Sequence, residues 1–587
     1  MRKKENMVKV SDYIINYIKE KEVDRVFGYV GGAVAHIYDS LDKIEGIEIV
    51  NTIHEQSAGF AAEAYARVTG KTGVAVATSG PGATNLLTPI GSCFFDSVPS
   101  LFITGQVSTR EYKYDNPARQ IGFQETDIVS IVKPVTKYAV MIDDLKNLRY
   151  EMEKAYFITQ EGRKGPVLID IPSNLQFQSF EPEKERSFFG SDEHKELLAI
   201  DTIDIEREIE QAAKMINEAQ RPVILAGGGV RVSGAEAALY KLLERTGIPI
   251  VHSLMGKDLA KEEYPYNMGF IGGFGNRYGN LTLANADLLL VLGSRLDGRQ
   301  IGNPQTFARE AKIIQIDIDP HELGTKVDAD LLIRSDIKRA LEKLNRQEIH
   351  CAIEPWHKSV LAYKAKFSSI HGIDQEEIIP NRIISEISKN MKEDDIVTVD
   401  VGQHQMWTAQ SLETKGKQRI LFSGGMGAMG FALPAAIGAT LGTGKRSIVI
   451  VGDGGFQMNI QELEVIKRRN LPIKIFVFNN ASLGMVRMQQ EQYNEENYVG
   501  TEKDYSAPDF KAVAAAYGIK SSAASDMDAI LGTIKSSLEN DESELVEIIL
   551  TEAKNRLEPR VAIGKAMEDM YPFLESDDLN DLMIGPP

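Results

Sequence analysis

Apolar residues along this chain come in short runs that end on glycine, acid or amide, separated by stretches of helical spacing. Residues 447–451 (SIVIV) form a β-branched run that reads as a buried strand. The run stops at Gly452-Asp453-Gly454-Gly455. Ile460, Leu463 and Ile466 follow at helical spacing, and a second apolar run, residues 473–478, ends in Asn479-Asn480. Strand, turn, helix, strand is a βαβ crossover, so both strand ends open on one edge of a parallel sheet. The same alternation recurs upstream. Ile14, Tyr17 and Ile18 sit at helical spacing, VDRVFGYVGG and GVAVATSGPGATN are strands entering glycine turns, and PVLIDIP closes with a last strand and a proline. These outline a first domain over residues 7–175. PVILAGGGV, LLLVLG and a run ending in Asp317-Ile318-Asp319-Pro320 outline a second over 200–345, and the Gly452 crossover belongs to a third over 380–553. Polar stretches at 176–198 and 350–379 predict linkers, and 554–587 reads as an acidic tail carrying Tyr571 and Phe573, a lid or an interface arm. The fold class expected is α/β, with three doubly wound parallel-sheet domains.

Composition narrows the function classes. With 587 residues, 43% hydrophobic and 26% charged, the chain is a globular protein of three or four ordinary domains. A net charge of −18 argues against nucleic acid or an anionic membrane as partner. Two cysteines, Cys93 and Cys351, make no disulfide framework and suit a reducing compartment. Residues 1–6 are charged and no signal peptide follows, and no apolar run reaches a membrane-spanning length of about 18 residues. A cytoplasmic protein is expected.

The chemistry-bearing residues gather at strand ends. Asp453 and Asn480 are a poor cage for a bare metal but a reasonable half-shell for Mg²⁺ that also binds a diphosphate, since Mg²⁺ takes about six oxygens. A helix after Gly455 would offer free N–H groups to the same anion. GDGG alone is equally an ordinary strand end, and the matching strand ending in two asparagines favours the ion site. Glu55 opens a helix of small residues, EQSAGFAAEAYAR, where a carboxylate is favoured by the helix dipole. It reads either as a surface charge or as a functional acid. Phe123-Gln124 follows a charged loop, and by pattern alone Phe123 would be core and Gln124 surface.

GDG, 24 intervening residues and NN resembles the motif of thiamin diphosphate (ThDP) enzymes. HEQ with AAEAYAR, ATSGPGATN, VGQHQMW, SGGMGAMGFALPAAIGA and NN-x3-GM extend the resemblance, over nearly the whole chain, to the large catalytic subunit of acetohydroxyacid (acetolactate) synthases. It implies a pyrimidine-binding first domain, a central FAD-type domain and a diphosphate-binding third domain. On that resemblance Glu55 is the acid that activates the cofactor, and Gly32, Phe123 and Gln124 border the reacting centre. Gln403 and His404 reach the diphosphate, with Gly402, Gly454, Gly455 and Met485 beside it. Met429 lies under the bent cofactor and the Gly427 carbonyl accepts from its amino group. Asp453, Asn480 and Ser482 hold Mg²⁺. In the central domain no strand end matches GxGxxG, but the residues that match the family's FAD site are present: Arg163, Gly227, Gly228, Gly229, Leu254, Gly293, Arg295, Asp317 and Asp336. Phe274, in GGFG, stands where the family usually has histidine.

Three departures bear on the substrate. The family's Tyr-Pro-Gly-Gly is Tyr29-Val30-Gly31-Gly32 here, its Ile-Pro-Lys lysine is Ser173, and the tryptophan after Gly-Met-Val is Gln489. Arg299, which in the family faces the acceptor's carboxylate, is retained. The implied reaction is decarboxylation of pyruvate and transfer of the hydroxyethyl unit to an acceptor carbonyl, giving 2-acetolactate when the acceptor is pyruvate. Alternatives are a carboligase with a bulkier acceptor such as a keto-sugar, a cyclic-ketone hydrolase, a pyruvate oxidase-like enzyme and a catalytically silent homologue. The paired histidines of simple decarboxylases are absent. The resemblance further implies small-molecule substrates, a homodimer or homotetramer with sites at the subunit interface, and room for a regulatory subunit.

Overall fold

A computed structural model describes residues 7–198, 203–368, 378–550 and 557–584, so the expected boundaries at 200 and 553/554 lie outside the described residues. It contains three six-stranded sheets in which every pairing is parallel. The first sheet runs, in spatial order, Glu48–Asn51, Arg25–Gly28, Gly73–Ala77, Ser100–Gln106, Pro166–Pro172 and Tyr138–Met141. The third runs Arg419–Phe422, Ile396–Val399, Ser447–Gly452, Ile473–Asn479, Glu544–Ile549 and Lys520–Ala524. Both follow the same winding: second strand, first, third, fourth, sixth, fifth. The central sheet runs Asn267–Phe270, Ile250–His252, Pro222–Ala226, Leu288–Leu292, Lys312–Asp317 and Leu331–Arg334. That order, third-second-first-fourth-fifth-sixth, is the one that binds dinucleotides where the winding reverses.

The inner strands are buried along their whole length, as in Gly73–Ala77, Leu288–Leu292 and Ser447–Gly452. Helices on both faces explain why these sequences read as continuous apolar runs rather than as alternation. The first and third domains meet through two helices of small residues, Glu55–Thr69 and Ala432–Thr443. Phe60 and Phe431 pack edge-to-face there at 5.5 Å, and a Cβ added at Gly438 would lie 1.9 Å from the Ala61 carbonyl oxygen. Glycine and alanine are required because the backbones touch.

Both expected linkers carry structure. Ser179–Phe180 pairs antiparallel with Val8–Lys9, and Phe188 is fully buried beside Tyr150 at 5.5 Å, so this segment straps the first domain. Within 350–379 the helix Glu354–Lys366 sinks Trp356, Val360 and Tyr363 into the central core. Its sequence looked polar because only one face is buried. After Gly452 the helical pattern is broken into Asp453–Met458, a short 3-10 turn and Leu463–Arg469, and it begins at Asp453 rather than beyond Gly455. The C-terminal segment lies on the central domain. Arg560–Val561 pairs with Met570–Tyr571, Asn280 donates to the Met567 carbonyl at 2.8 Å, and Arg309 pairs with Glu568 at 2.7 Å. Among the described residues no helix is long and apolar enough to cross a membrane.

Candidate active site

The third sheet presents four strand ends at one edge: Asp400, the glycine-rich turn at 423–430, Asp453 and Asn480. Asp400 accepts from the backbone of Val401, Gly430 and Ala432 at 2.9–3.0 Å, which fixes that turn to the strand edge. Burial outweighs these bonds and pushes its carboxyl up to about 6. Asp96, from the first domain, accepts from Gly424 and Gly425 at 2.9 and 2.6 Å and clamps the same turn from the other side. Gly427 lies at φ +62°, and Met429 is half-buried beside Gly454.

Around Asp453 a cavity of about 210 Å³ is lined by third-domain residues and by Arg299 of the central domain. Gln403, His404, Asn480 and Ser482 are buried in its wall, and Asn480 donates to Gln403 Oε1 at 3.1 Å. Four buried polar atoms of its lining residues have no hydrogen-bond partner: Gln403 Nε2, His404 Nε2, Gln405 Nε2 and Ser482 Oγ. Unpaired buried polar groups cost about 1–3 kcal/mol each, so their clustering marks a place for a polar ligand. Burial pushes the His404 imidazole down to about 3, against the opposing hydrogen bond to the Asp400 backbone. Burial likewise raises the Asp453 carboxyl to about 6, against the opposing hydrogen bond from Tyr505. Glycine is needed at two points of the floor. A Cβ added at Gly454 would lie 2.4 Å from Leu483, and one at Gly455 would lie 2.4 Å from Asp400. Gly402 packs on the His404 ring, and Met485 and Gln489 line the cavity from the helix Gly484–Tyr493.

Mg²⁺ with a diphosphate fits this set. Among the described residues no group of three metal-binding side chains occurs, so the protein alone is a weak cage. One carboxylate, one amide and unpaired donors suit an ion whose remaining oxygens come from phosphate and water.

Residues of the first domain lie apart from that cavity. Glu55 opens its helix, 8% exposed, and accepts from Asn85 Nδ2 at 2.9 Å, with Gly82 packed against it. Gln124 adopts φ +65° and packs on Gly80, whereas Phe123 is 87% exposed rather than core. A Cβ added at Gly32 would meet nothing within 4 Å, and the close approach in that turn belongs to Gly31, where a Cβ would lie 2.5 Å from Thr78. Ser173 starts a short helix at the end of Pro166–Pro172. None of these residues lines the Asp453 cavity.

A larger cavity, about 810 Å³, opens at the carboxyl ends of the central strands. Its walls include Arg163, Gly228, Gly229, Leu254, Gly293, Arg295, Asp317 and Asp336, together with Phe274. Gly227 lies outside the lining; a Cβ there would sit 2.1 Å from the Gly293 carbonyl, so it serves the approach of two strand ends. Arg163 pairs with Asp319 and Glu322 at 2.9 and 3.0 Å, and burial raises the Asp317 carboxyl to about 6. Gln300 Nε2 and Gln405 Nε2, both on the wall, are buried without partners. A long ligand with carbonyl, phosphate and hydroxyl acceptors fits such a lining, and FAD is one. Arg299, Val401 and Gln405 line both cavities.

Sequence motifs left several supporting residues unmarked. Asn85 ends the ATSGPGATN motif and Asp400 directly precedes VGQHQMW, neither with a role of its own. Asp96 and Tyr505 belong to no motif, and only the fold brings them to the strand edge.

Comparison with known proteins finds a family match in each of the three sheet domains. The profile described as "Thiamine pyrophosphate enzyme, N-terminal TPP binding domain" matches residues 8–131, its central domain 209–344 and its C-terminal TPP binding domain 400–548. The chain is 36% identical to the acetolactate synthase large subunit of Lactococcus lactis over 97% of each chain. It is 37% identical to the probable acetolactate synthase large subunit of Methanocaldococcus jannaschii over 93% of each. It is 34% identical to the acetolactate synthase isozyme 2 large subunit of Escherichia coli over 95% of this chain and 98% of that one.

Proposed function

Because this chain belongs to the acetolactate synthase large-subunit branch of the thiamine pyrophosphate enzymes, we propose that it decarboxylates pyruvate and transfers the two-carbon unit to an acceptor carbonyl. C1 of pyruvate leaves as CO₂, C2 forms the new bond to the acceptor carbon, and the acceptor oxygen takes up a proton. With pyruvate as acceptor the product is 2-acetolactate. Thiamin diphosphate, when bound, supplies the carbon acid and the sink for the electron pair that CO₂ leaves behind.

The chain's own residues divide the remaining work. Asp453, Asn480 and Ser482 hold Mg²⁺, and Gln403 and His404 turn their unpaired nitrogens to the diphosphate. Met429 and Gly427 set the cofactor's shape from the turn that Asp400 and Asp96 fix. Glu55, held by Asn85, moves the activating proton. Arg299 meets the acceptor's carboxylate. The larger cavity would hold FAD in a structural role, with Gln300 and Gln405 offering it their unpaired amide donors. Glu55 and the Asp453 cavity belong to different halves of a site that two copies of the chain complete, in a dimer or tetramer.

The observation that supports this most is the cluster of unpaired buried atoms, Gln403 Nε2, His404 Nε2 and Ser482 Oγ among them, in the cavity that holds Asp453 and Asn480. The test is the product formed from ¹³C-pyruvate by the purified protein with Mg²⁺, ThDP and FAD, read by NMR. Accumulation of 2-acetolactate is expected. Release of CO₂ without acetolactate, or release of acetate, sinks the assignment of pyruvate as acceptor. Gln489 and Val486 on the cavity wall favour a second reading, a bulkier or more polar acceptor such as a keto-sugar, because an amide stands where the relatives' branch has an aromatic wall.

A further inference from the structure

Tyr505 sits in no motif, yet its hydroxyl donates to Asp453 Oδ2 at 2.8 Å. The hydroxyl also occupies the space over Gly454, 3.3 Å from where a Cβ would be. A phenol is a single donor with a rigid stem, so together with the backbone of Gly454 and Ser482, which also donate to this carboxylate, it fixes the orientation of the Asp453 side chain. The segment that carries it is tied down along its length. Gln490 Nε2 donates to the Val499 carbonyl at 2.9 Å, the Thr501 hydroxyl donates to Gln490 Oε1, and Glu502 pairs with Arg487. Arg487 also stacks over the Tyr498 ring at 4.2 Å. Arg487 and Gln490 belong to the helix Gly484–Tyr493, whose Met485, Val486 and Gln489 line the cavity.

We propose that Tyr505 is a positioning residue for the metal ion: by holding Oδ2 it fixes the Asp453 carboxylate in the orientation that would ligate the ion, and through residues 494–505 it couples that carboxylate to the helix that faces the acceptor. The inference rests on the reading that Asp453 and Asn480 hold Mg²⁺. Groups that orient a ligating carboxylate typically change metal affinity by about 10–100-fold when removed.

The test uses full-length protein freed of metal, titrated with Mg²⁺ at saturating ThDP and followed by intrinsic fluorescence. Y505F is expected to raise the Kd for Mg²⁺ by about 10–100-fold. Its kcat at saturating Mg²⁺ falls by a smaller factor, and the cofactor-free melting temperature and FAD binding stay at the wild-type values. Equal or tighter Mg²⁺ binding by Y505F overturns the proposal, because the phenol would then be idle or a competitor for the site. E502Q loosens the same segment from Arg487 and leaves the phenol in place, so its effect on Kd is expected to be under tenfold. An effect as large as that of Y505F reassigns the loss to segment packing and also overturns the proposal. A wild-type protein with no Mg²⁺-dependent signal is a different failure, that of the metal reading itself.

Discussion

Replacing Gly438 by alanine is expected to unseat the first domain from the third. The added Cβ would stand 1.9 Å from the Ala61 carbonyl oxygen and 2.6 Å from its carbon. Both are backbone atoms, so no rotamer change relieves the overlap, and the helices Glu55–Thr69 and Ala432–Thr443 must separate by about 1.5 Å to restore ordinary contact. Even a gap of about 1 Å forfeits up to half of each dispersion contact along the crossing. Added to the usual cost of overpacking, about 1–3 kcal/mol, the loss comes to about 3 kcal/mol. For a domain of this size that lowers the melting midpoint by about 6–12 °C. Gly442, one turn further along the same helix, is the internal control. A Cβ there would meet side-chain rather than backbone atoms, of Thr69, Tyr65 and Val68 at 3.0–3.2 Å, so shifts of a few tenths of an ångström suffice. Its conversion to alanine gains up to about 1 kcal/mol of helix propensity, so G442A should melt within a degree or two of wild type. Differential scanning fluorimetry of the two variants side by side decides the matter. If G438A melts with wild type, the two helices are not in the close contact described and the small-residue argument fails.

Three other outcomes follow from the site. Glu55→Gln is expected to lower kcat by about 10²–10⁴-fold while ThDP affinity, measured by fluorescence titration, changes little; an unchanged kcat would remove Glu55 from the proton path. Glu462 accepts from the Ile53 N–H at 3.1 and 3.2 Å, and burial raises its carboxyl from near 4.5 to about 7. The folded state therefore holds its proton more tightly, so this contribution to stability is full below about pH 4.5 and is lost as pH rises through about 7. Melting midpoints collected from pH 5 to 8 should fall in the wild type and flatten in Glu462→Gln, and parallel curves would contradict the shift. Gln489→Trp narrows the 210 Å³ cavity and is expected to move the ratio of kcat/KM toward pyruvate over bulkier acceptors by about tenfold, read by competition between two acceptors.

Much of this molecule is written locally. Buried parallel strands announce themselves as apolar runs, and their ends as glycine, acid or amide, so Asp453 and Asn480 can be paired across 26 residues by counting strands. Segments whose burial is one-sided are harder to read. The helix Glu354–Lys366 and the strap at 179–188 show few apolar residues because each presents only two or three to the core. Long-range clamps leave no local pattern at all. Asp96 reaches Gly424 and Gly425 across more than 300 positions, and Tyr505 reaches Asp453 across a segment that includes five non-glycine residues with left-handed backbone, Asn470, Ala481, Glu495, Glu496 and Asp504. The exposed Phe123 shows the opposite limit, since an aromatic beside glycine reads as core until its surroundings are known.

The Asp453 cavity draws no wall from the first domain of its own chain. In a dimeric site of the kind proposed, that partition becomes visible as genetics. A chain carrying E55Q and a chain carrying D453N are each inactive alone, but in a mixed pair one of the two sites receives both damaged halves and the other receives neither. Random association of equal amounts restores about a quarter of all sites, because half the pairs are mixed and each mixed pair keeps one intact site. Two null alleles of this gene would then complement each other within the protein, without recombination and without any wild-type copy.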